Sequence, residues 1–552
     1  MIEPDDFNFY KKINVPPPTW CPGCRFQRRL AFLNWITLYK RACANCNESI
    51  ISNLRDGTPY RVFCPKCWFG DTWDGTEYGM DYDPNRNFFE QLAELKDKST
   101  FMAIENLYST LVNSPYVNAT AYQKDCFMVF NADYGERTAY CMVYAHVADS
   151  LDGYRFKEVE LCYECVGMYK SYHCIYSEEL DSCTDTHFSR SCSGCVDCVG
   201  CINLRNKSNC IFNQQYSKEE YKKKVAEMRL DTREGIESML QQSREFFMTQ
   251  PRRATAGNGL NVNTTGDFIY ESKNTKDSYM VSSVEDSRFV QMLTMGPTKN
   301  CYDYTNWGYG AENLYECLTV GESAYNDHFS AQCWPNALNL EYCFYANQSK
   351  DCFGCYNLKR KQYCILNKQY TKEEYLVLRE KIIADMKTNP YTDEKGRVWS
   401  YGEFFPFMFS PFAYNETMAD YYFPLSKNEI IEGGMQWHDI PDSEHTTTMT
   451  ADQVPETVAD IDDAIQKEII ECAECKKGFR ITTLEIQLHR KIGVPFPVKC
   501  WKCRFKRRFN TVNPPQLYDR FCMKCEKEIK TSYVPERSEI VYCETCYQQE
   551  AN

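Results

Sequence analysis

The chain has 552 residues, 32 of them cysteine, and a net charge of −13. That length leaves room for several domains with buried cores, while no uninterrupted apolar run approaches the ~20 residues a membrane-spanning helix needs. The charge is uneven: residues 1–70 hold ten Lys/Arg against five Asp/Glu and residues 467–552 seventeen against eleven, which leaves about −24 for the middle. Basic ends on an acidic body suit an anionic partner, nucleic acid or ribonucleoprotein among them; they also suit cations gathered around negative metal–thiolate sites.

The first residues, MIEPDDFNFY, are acidic and lack an apolar stretch, which argues against a secretory leader. Residues 1–75 then form a cysteine-paired module, and residues 10–67 recur without a gap as residues 489–546. Each C-x2-C knuckle turns two thiolates toward one point, and a second knuckle completes a tetrahedral zinc site. Cys43, Cys46, Cys64 and Cys67 make one full set. Cys21 and Cys24 have no upstream pair. A start shortened relative to relatives, a site completed from elsewhere in the fold, and two plain thiols are the alternatives. Arg25, Arg28 and Arg29 follow directly. On the rim of a helix start they would clamp phosphates, with Trp20, Trp35 and Tyr39 to stack bases; the alternative is pairing with acidic neighbours.

Residues 76–121 read as a connector, with helical apolar spacing in NFFEQLAELKDK, residues 87–98. The middle is a second duplication: residues 124–165 match 276–317, and residues 198–221 match 352–375. Cys165, Cys174, Cys183, Cys192, Cys201 and Cys210 follow one another at nine-residue intervals. That interval predicts stacked rungs with one inward position per layer, cysteine being small and readily buried. Residues 122–250 and 251–390 are therefore expected to be two β-solenoid blocks. Each should end in a helix, at 217–248 and 371–388, opened by the capping boxes Ser217/Glu220 and Thr371/Glu374.

Cys192, Cys195, Cys198 and Cys201, spaced C-x2-C-x2-C-x2-C, invite an iron–sulfur or extra zinc site and, with it, a redox or metal enzyme. The second copy keeps only Cys352 and Cys355, so stacked thiols are the preferred reading. His187 and His328 each follow an aspartate, Asp185 and Asp327, and read as residues packed beside a turn rather than as acid–base groups. GNGLNVNTTG, residues 257–266, lacks the Gly-Lys-Ser/Thr of a phosphate loop and reads as a linker. Residues 391–438 are rich in aromatics, expected to pack on a solenoid flank rather than to form a ligand groove. Residues 439–466, acidic and rich in Thr and Asp, suggest a solvated tether.

Residues 467–552 carry two complete thiolate sets by sequential pairing, Cys472/Cys475 with Cys500/Cys503 and Cys522/Cys525 with Cys543/Cys546; a cross-braced pairing uses the same ligands. Arg504, Arg507, Arg508 and Tyr518 repeat the basic and aromatic positions of the first module. Closed thiolate sites are structural rather than catalytic, so about three zinc ions per chain are expected.

The segment ECAECKKGF…LHRKIGVPFPVKCWKCRFKRR resembles bacterial zinc-ribbon domains. YKKINVPPPTWCPGCRFQRRLAF, FGCYNLKRKQYCILNKQYTKEEY and SPFAYNETMADYYFPL resemble a group of cysteine-rich proteins of candidate-phylum bacteria over nearly the whole length. The resemblance implies zinc binding and no particular activity. Together these features predict a mainly β fold with short helices, a duplicated body flanked by zinc-ribbon or treble-clef modules. The expected role is that of a cytoplasmic, non-enzymatic scaffold or binding protein, with a nucleic acid or a protein as partner.

Overall fold

A computed structural model describes residues 3–257, 260–440, 446–460 and 462–550. Strand accounts for 31% and helix for 26%, so the fold is mixed rather than mainly β. The chain divides into two units that alternate along the sequence. The first combines Met1–Ile104 with Thr255–Asp439 and the short stretch Pro514–Leu517, and the second combines Glu105–Ala254 with Ile440–Asn513 and Tyr518–Asn552. Each unit therefore joins one parallel ladder to one cysteine-paired module from a distant part of the chain.

In the second unit the ladder is built from parallel strands, each paired with the next at a register of twelve residues: Val117 with Val129, Phe130 with Met142, Met142 with Tyr154. Its cause is a backbone that turns into the left-handed region at every third residue, without interruption from Ala119 to Phe212. Such φ values cost of order 1–3 kcal/mol each outside glycine, so they persist only where the surroundings impose them. Here turning residues donate their N–H thirteen positions back, as Tyr140 does to the Phe127 carbonyl and Asp152 to that of Ala139.

The triplet step also explains the cysteines. Every third side chain points inward, and the core that results contains Cys162, Cys165, Cys174, Cys183, Cys192, Cys195, Cys198, Cys201 and Cys210 beside Val, Leu, Met and Phe. The inward residue's own N–H finds its acceptor in the side chain one layer earlier. Ser177 N–H donates to Cys165 Sγ (3.4 Å), Ser189 N–H to Ser177 Oγ (3.1 Å) and Cys201 N–H to Ser189 Oγ (3.0 Å). A small side chain that can both accept and donate is thus selected at these positions, and Cys, Ser and Thr share the role.

The nine-residue cadence is consequently not the layer repeat. It marks a different link: Cys165 Sγ donates to the Cys174 carbonyl (3.4 Å), and Cys183 Sγ to that of Cys192 (3.5 Å), each nine residues ahead. The first unit's ladder follows the same plan with slips. Its register is twelve from Gly266 to Ser278, fourteen from Arg288 to Tyr302, thirteen from Tyr302 to Tyr315 and twelve again from Lys350 to Gln362.

Both capping boxes form, opening helices Lys218–Glu227 and Lys372–Thr388. The first expected helix is broken, however; a second one, Arg233–Met248, starts at Thr232, whose hydroxyl accepts the Gly235 N–H. Helix Phe88–Lys98 lies where the periodicity placed it. The aromatic segment packs as expected, with Phe404 and Phe405 buried and Phe405 against Tyr342, Phe344 and Tyr356. At its edge lies an open cleft of about 600 Å³ beside Trp20, Lys387, Arg397 and Tyr401. In the acidic segment 439–466, residues 441–445 and 461 lie outside the described residues, as do 258 and 259 of the Gly/Asn-rich linker. The rest of the acidic segment is no free tether: Val454 and Ile465 are buried with Ile470 and Ile486, and Arg233 pairs with Glu456 (3.1 Å).

Candidate metal centres and the arginine seams

Three tetra-cysteine sets assemble, and the pairing is sequential in all of them: Cys43, Cys46, Cys64 and Cys67; Cys472, Cys475, Cys500 and Cys503; Cys522, Cys525, Cys543 and Cys546. The first pair of each set sits on a tight turn closed by a left-handed residue, Asn47, Lys476 or Glu526. The second pair opens a helix at Pro65–Phe69, Trp501–Phe509 or Glu544–Glu550. Backbone donors converge on the sulfurs, as Cys64 N–H does on Cys43 Sγ (3.3 Å), Cys500 N–H on Cys472 Sγ (3.2 Å) and Cys543 N–H on Cys522 Sγ (3.2 Å).

These donors favour the thiolate. Burial pushes the Cys43 and Cys472 thiols up, but the surrounding N–H groups outweigh it and bring both down to about 7; Cys522 comes down to about 6 in the same way. The spacing fits a tetrahedral ion. Sγ atoms are 3.7 Å apart for Cys475/Cys500, 3.9 Å for Cys472/Cys503 and 3.8 Å for Cys525/Cys543. Ligands around an ion with bonds of about 2.3 Å are separated by about 3.8 Å. Each set can therefore hold a metal ion, and zinc suits its geometry and its sulfur donors.

Cys21 and Cys24 join no such set among the described residues. Cys24 N–H donates to Cys21 Sγ (3.1 Å) at the start of helix Pro22–Leu30, and burial, with Cys21 beside it, pushes the Cys24 thiol up to about 11. Cys192, Cys195, Cys198 and Cys201 occupy the four consecutive inward positions of one ladder layer, each donating its S–H to the carbonyl two residues back at 3.3–3.5 Å. The four sulfurs thus lie against backbone carbonyls along the stack, and among the described residues they form none of the groups placed to hold a metal ion.

Five of the six arginines lie inside their units rather than on an open rim. Arg25, Arg28 and Arg29 are at most 1% exposed, and Arg504 and Arg508 are 3% exposed. Arg25 reaches Asp303 (2.8 Å), Arg28 reaches Glu316 (2.7 Å) and Glu403 (3.0 Å), and Arg29 reaches Glu316 (2.9 Å). The other unit repeats the pattern. Arg504 pairs with Asp152 (2.9 Å), Arg507 with Glu164 (2.7 Å), and Arg508 with both Glu164 (2.6 Å) and Asp152 (2.8 Å). In each unit the two carboxylates sit one layer apart on left-handed turns, at a register of twelve for Asp152/Glu164 and thirteen for Asp303/Glu316. Burial works against the charged form of Glu164, yet Arg507, Arg508 and Arg504 hold its carboxyl down at about 2.

The expected phosphate clamp is thus already occupied. The acidic ladder is the anionic partner of the basic module in the same unit, and only Arg507, 33% exposed in its side chain, keeps a face toward solvent. Trp35 is fully buried, Trp20 lies over Arg28, and Tyr39 bonds to Glu416, so these rings are engaged as well. Sequence reasoning overlooked His173, which stands with Asp185 and His187 on the ladder. Its link to Asp185 is a twelve-residue step, visible only once the layer length is known. Among the described residues no helix is long and apolar enough to cross a membrane. No known protein family matches the chain, and no curated protein matches it.

Proposed function

We propose that the protein is a non-enzymatic zinc scaffold. In this reading two β-solenoid-like ladders, each locked to a zinc module by an arginine–carboxylate seam, present rigid surfaces to a protein partner. The observation that carries it is the closure of the three tetra-cysteine sets. All four donors of each come from the chain, leaving no open position for substrate, which is the structural type of zinc site. Binding at such sites supplies ~10–16 kcal/mol of apparent folding energy, so the modules should depend on the metal. Thiolate knuckles and a core of free, buried cysteines suit a reducing setting such as the cytoplasm. Contact with nucleic acid through the six arginines is not part of the reading, because carboxylates hold their guanidinium groups.

The test is elemental analysis with hydrogen exchange before and after chelation. About three zinc ions per chain are expected, with amide protection at 43–67, 472–503 and 522–546 lost on metal removal. Fewer ions, or protection that survives their removal, would overturn the reading.

A further inference from the structure

The outer surface of the second unit's ladder carries a group of a different kind. His173, Asp185 and His187 each place one ligand atom within 4.8 Å of the others. The ladder dictates the meeting. Asp185 and His187 flank the buried, inward Thr186 in strand Thr184–His187, so both lie on its outer side, and His173 lies one layer earlier, twelve residues before Asp185. His173 Nδ1 is 2.5 Å from Asp185 Oδ1, its Nε2 is 3.4 Å from the Ile492 carbonyl oxygen, and the two imidazoles stand nearly perpendicular with centroids 5.3 Å apart. His187 Nδ1 is buried and has no hydrogen-bond partner among the described residues.

A buried polar atom left unpaired costs about 1–3 kcal/mol, and a ligand that uses it removes the cost. The buried, unpaired Nδ1 of His187 is such an atom, and it faces the Asp185 and His173 groups that could share a cation with it. The other ladder supplies a comparison. His328 repeats His187, but Asn326 stands where Asp185 does and Asn313, one thirteen-residue step earlier, where His173 does. The duplicated scaffold thus carries the trio on one ladder alone, so packing of the layers does not require it.

We propose that His173, Asp185 and His187 bind one divalent transition-metal ion of the zinc type, with a position left open for water or an added carboxylate. Two imidazoles and a carboxylate are the donors that borderline ions accept, and three protein ligands leave tetrahedral coordination incomplete. Around an ion with bonds of about 2.0–2.1 Å the donors come to roughly 3.3 Å apart, a short adjustment in which the His173–Asp185 pair opens and the longer separations close by rotation of the side chains. The site differs from the cysteine sets in donor atoms and in having an open position.

The test uses the full chain with its cysteine sets filled with zinc and titrates it with cobalt(II) chloride. About one further equivalent should bind, giving visible d–d absorption without a thiolate-to-metal charge-transfer band. His173→Ala and His187→Asn should each weaken binding by roughly 100-fold or more, since loss of a mere supporting partner already costs ~10–100-fold. His146→Ala, exposed elsewhere on the ladder, should leave it unchanged. Should a variant fail to fold, the wild-type spectrum still decides. No added equivalent, a thiolate charge-transfer band, or wild-type affinity in both histidine variants would overturn the proposal, and none of these outcomes bears on the three cysteine sets.

Discussion

Glu164→Gln is the sharpest probe of how a cysteine-paired module is held to its ladder. The side chain keeps its shape and loses its charge at a point where the carboxylate is 1% exposed, 2.7 Å from Arg507 and 2.6 Å from Arg508, with Arg504 at 4.0 Å. Asp152 and Glu485 then face three guanidinium groups alone, one of them through the longer 3.6 Å approach of Arg504 to Glu485. Removing one partner from a buried ion pair costs about 3–5 kcal/mol, because the charge left behind is neither solvated nor neutralised. Spread over local opening of helix Trp501–Phe509, that is roughly a 10²–10³-fold acceleration of amide exchange, tenfold for each ~1.4 kcal/mol. Hydrogen exchange read by mass spectrometry on the metal-loaded chain measures it. The double variant Glu164→Gln/Arg508→Met removes one charge of each sign and should recover part of the loss. If the single variant exchanges within threefold of wild type, the seam does not hold the module and the reasoning fails.

Three further outcomes follow from the same geometry. Glu164 has its folded pKa lowered to about 2 from a usual 4.5, so its contribution is fully present above about pH 4.5 and is lost as pH falls toward 2; the difference in unfolding midpoint between wild type and Glu164→Gln should shrink across that window, and a pH-independent difference would contradict it. Cys165→Ser keeps an acceptor for the Ser177 N–H whereas Cys165→Val leaves it unpaired, so urea denaturation should find Val the more destabilising by about 1–3 kcal/mol despite its greater hydrophobicity; the reverse order would refute the hydrogen-bonding account of the core cysteines. Cys21→Ser/Cys24→Ser should leave bound zinc at about three per chain, and a fall by one would show that this pair belongs to a site after all.

The metal knuckles were legible in the sequence because ligand chemistry is local: a C-x2-C pair shows its purpose within four residues. The ladder was half legible. Stacking was announced by the cysteine interval, yet Ser and Thr substitute for Cys at inward positions such as Ser177, Thr186 and Ser189, which hides the triplet pattern from anyone counting thiols. The visible nine marks a thiol-to-carbonyl bond, and the twelve that sets the architecture leaves no single residue type behind. Charge told the truth about sign and nothing about address. Arg25 and Asp303 lie 278 residues apart, and no local pattern joins them. Helix Pro22–Leu30 misleads for a related reason: it buries its arginine face, where the usual expectation is that charge faces water.

The alternation of the two units along the chain has a kinetic consequence. As the polypeptide is made from its N-terminus, Arg25, Arg28 and Arg29 emerge long before Asp303 and Glu316; at 5–20 residues per second the ladder that completes their seam follows by roughly 10–60 seconds. In that interval the first carboxylate pair presented to them is Asp152 and Glu164, a near copy of the right one. Fidelity then rests on features that the copies do not share. Glu403, which adds a second carboxylate to Arg28, and the stacking of Phe9 on Tyr302 at 3.8 Å belong to one seam, and the bond from Tyr140 to Glu485 belongs to the other. The duplication that gave the protein two similar halves also gave it two closely similar carboxylate pairs, and these unshared contacts are what distinguish one seam from the other.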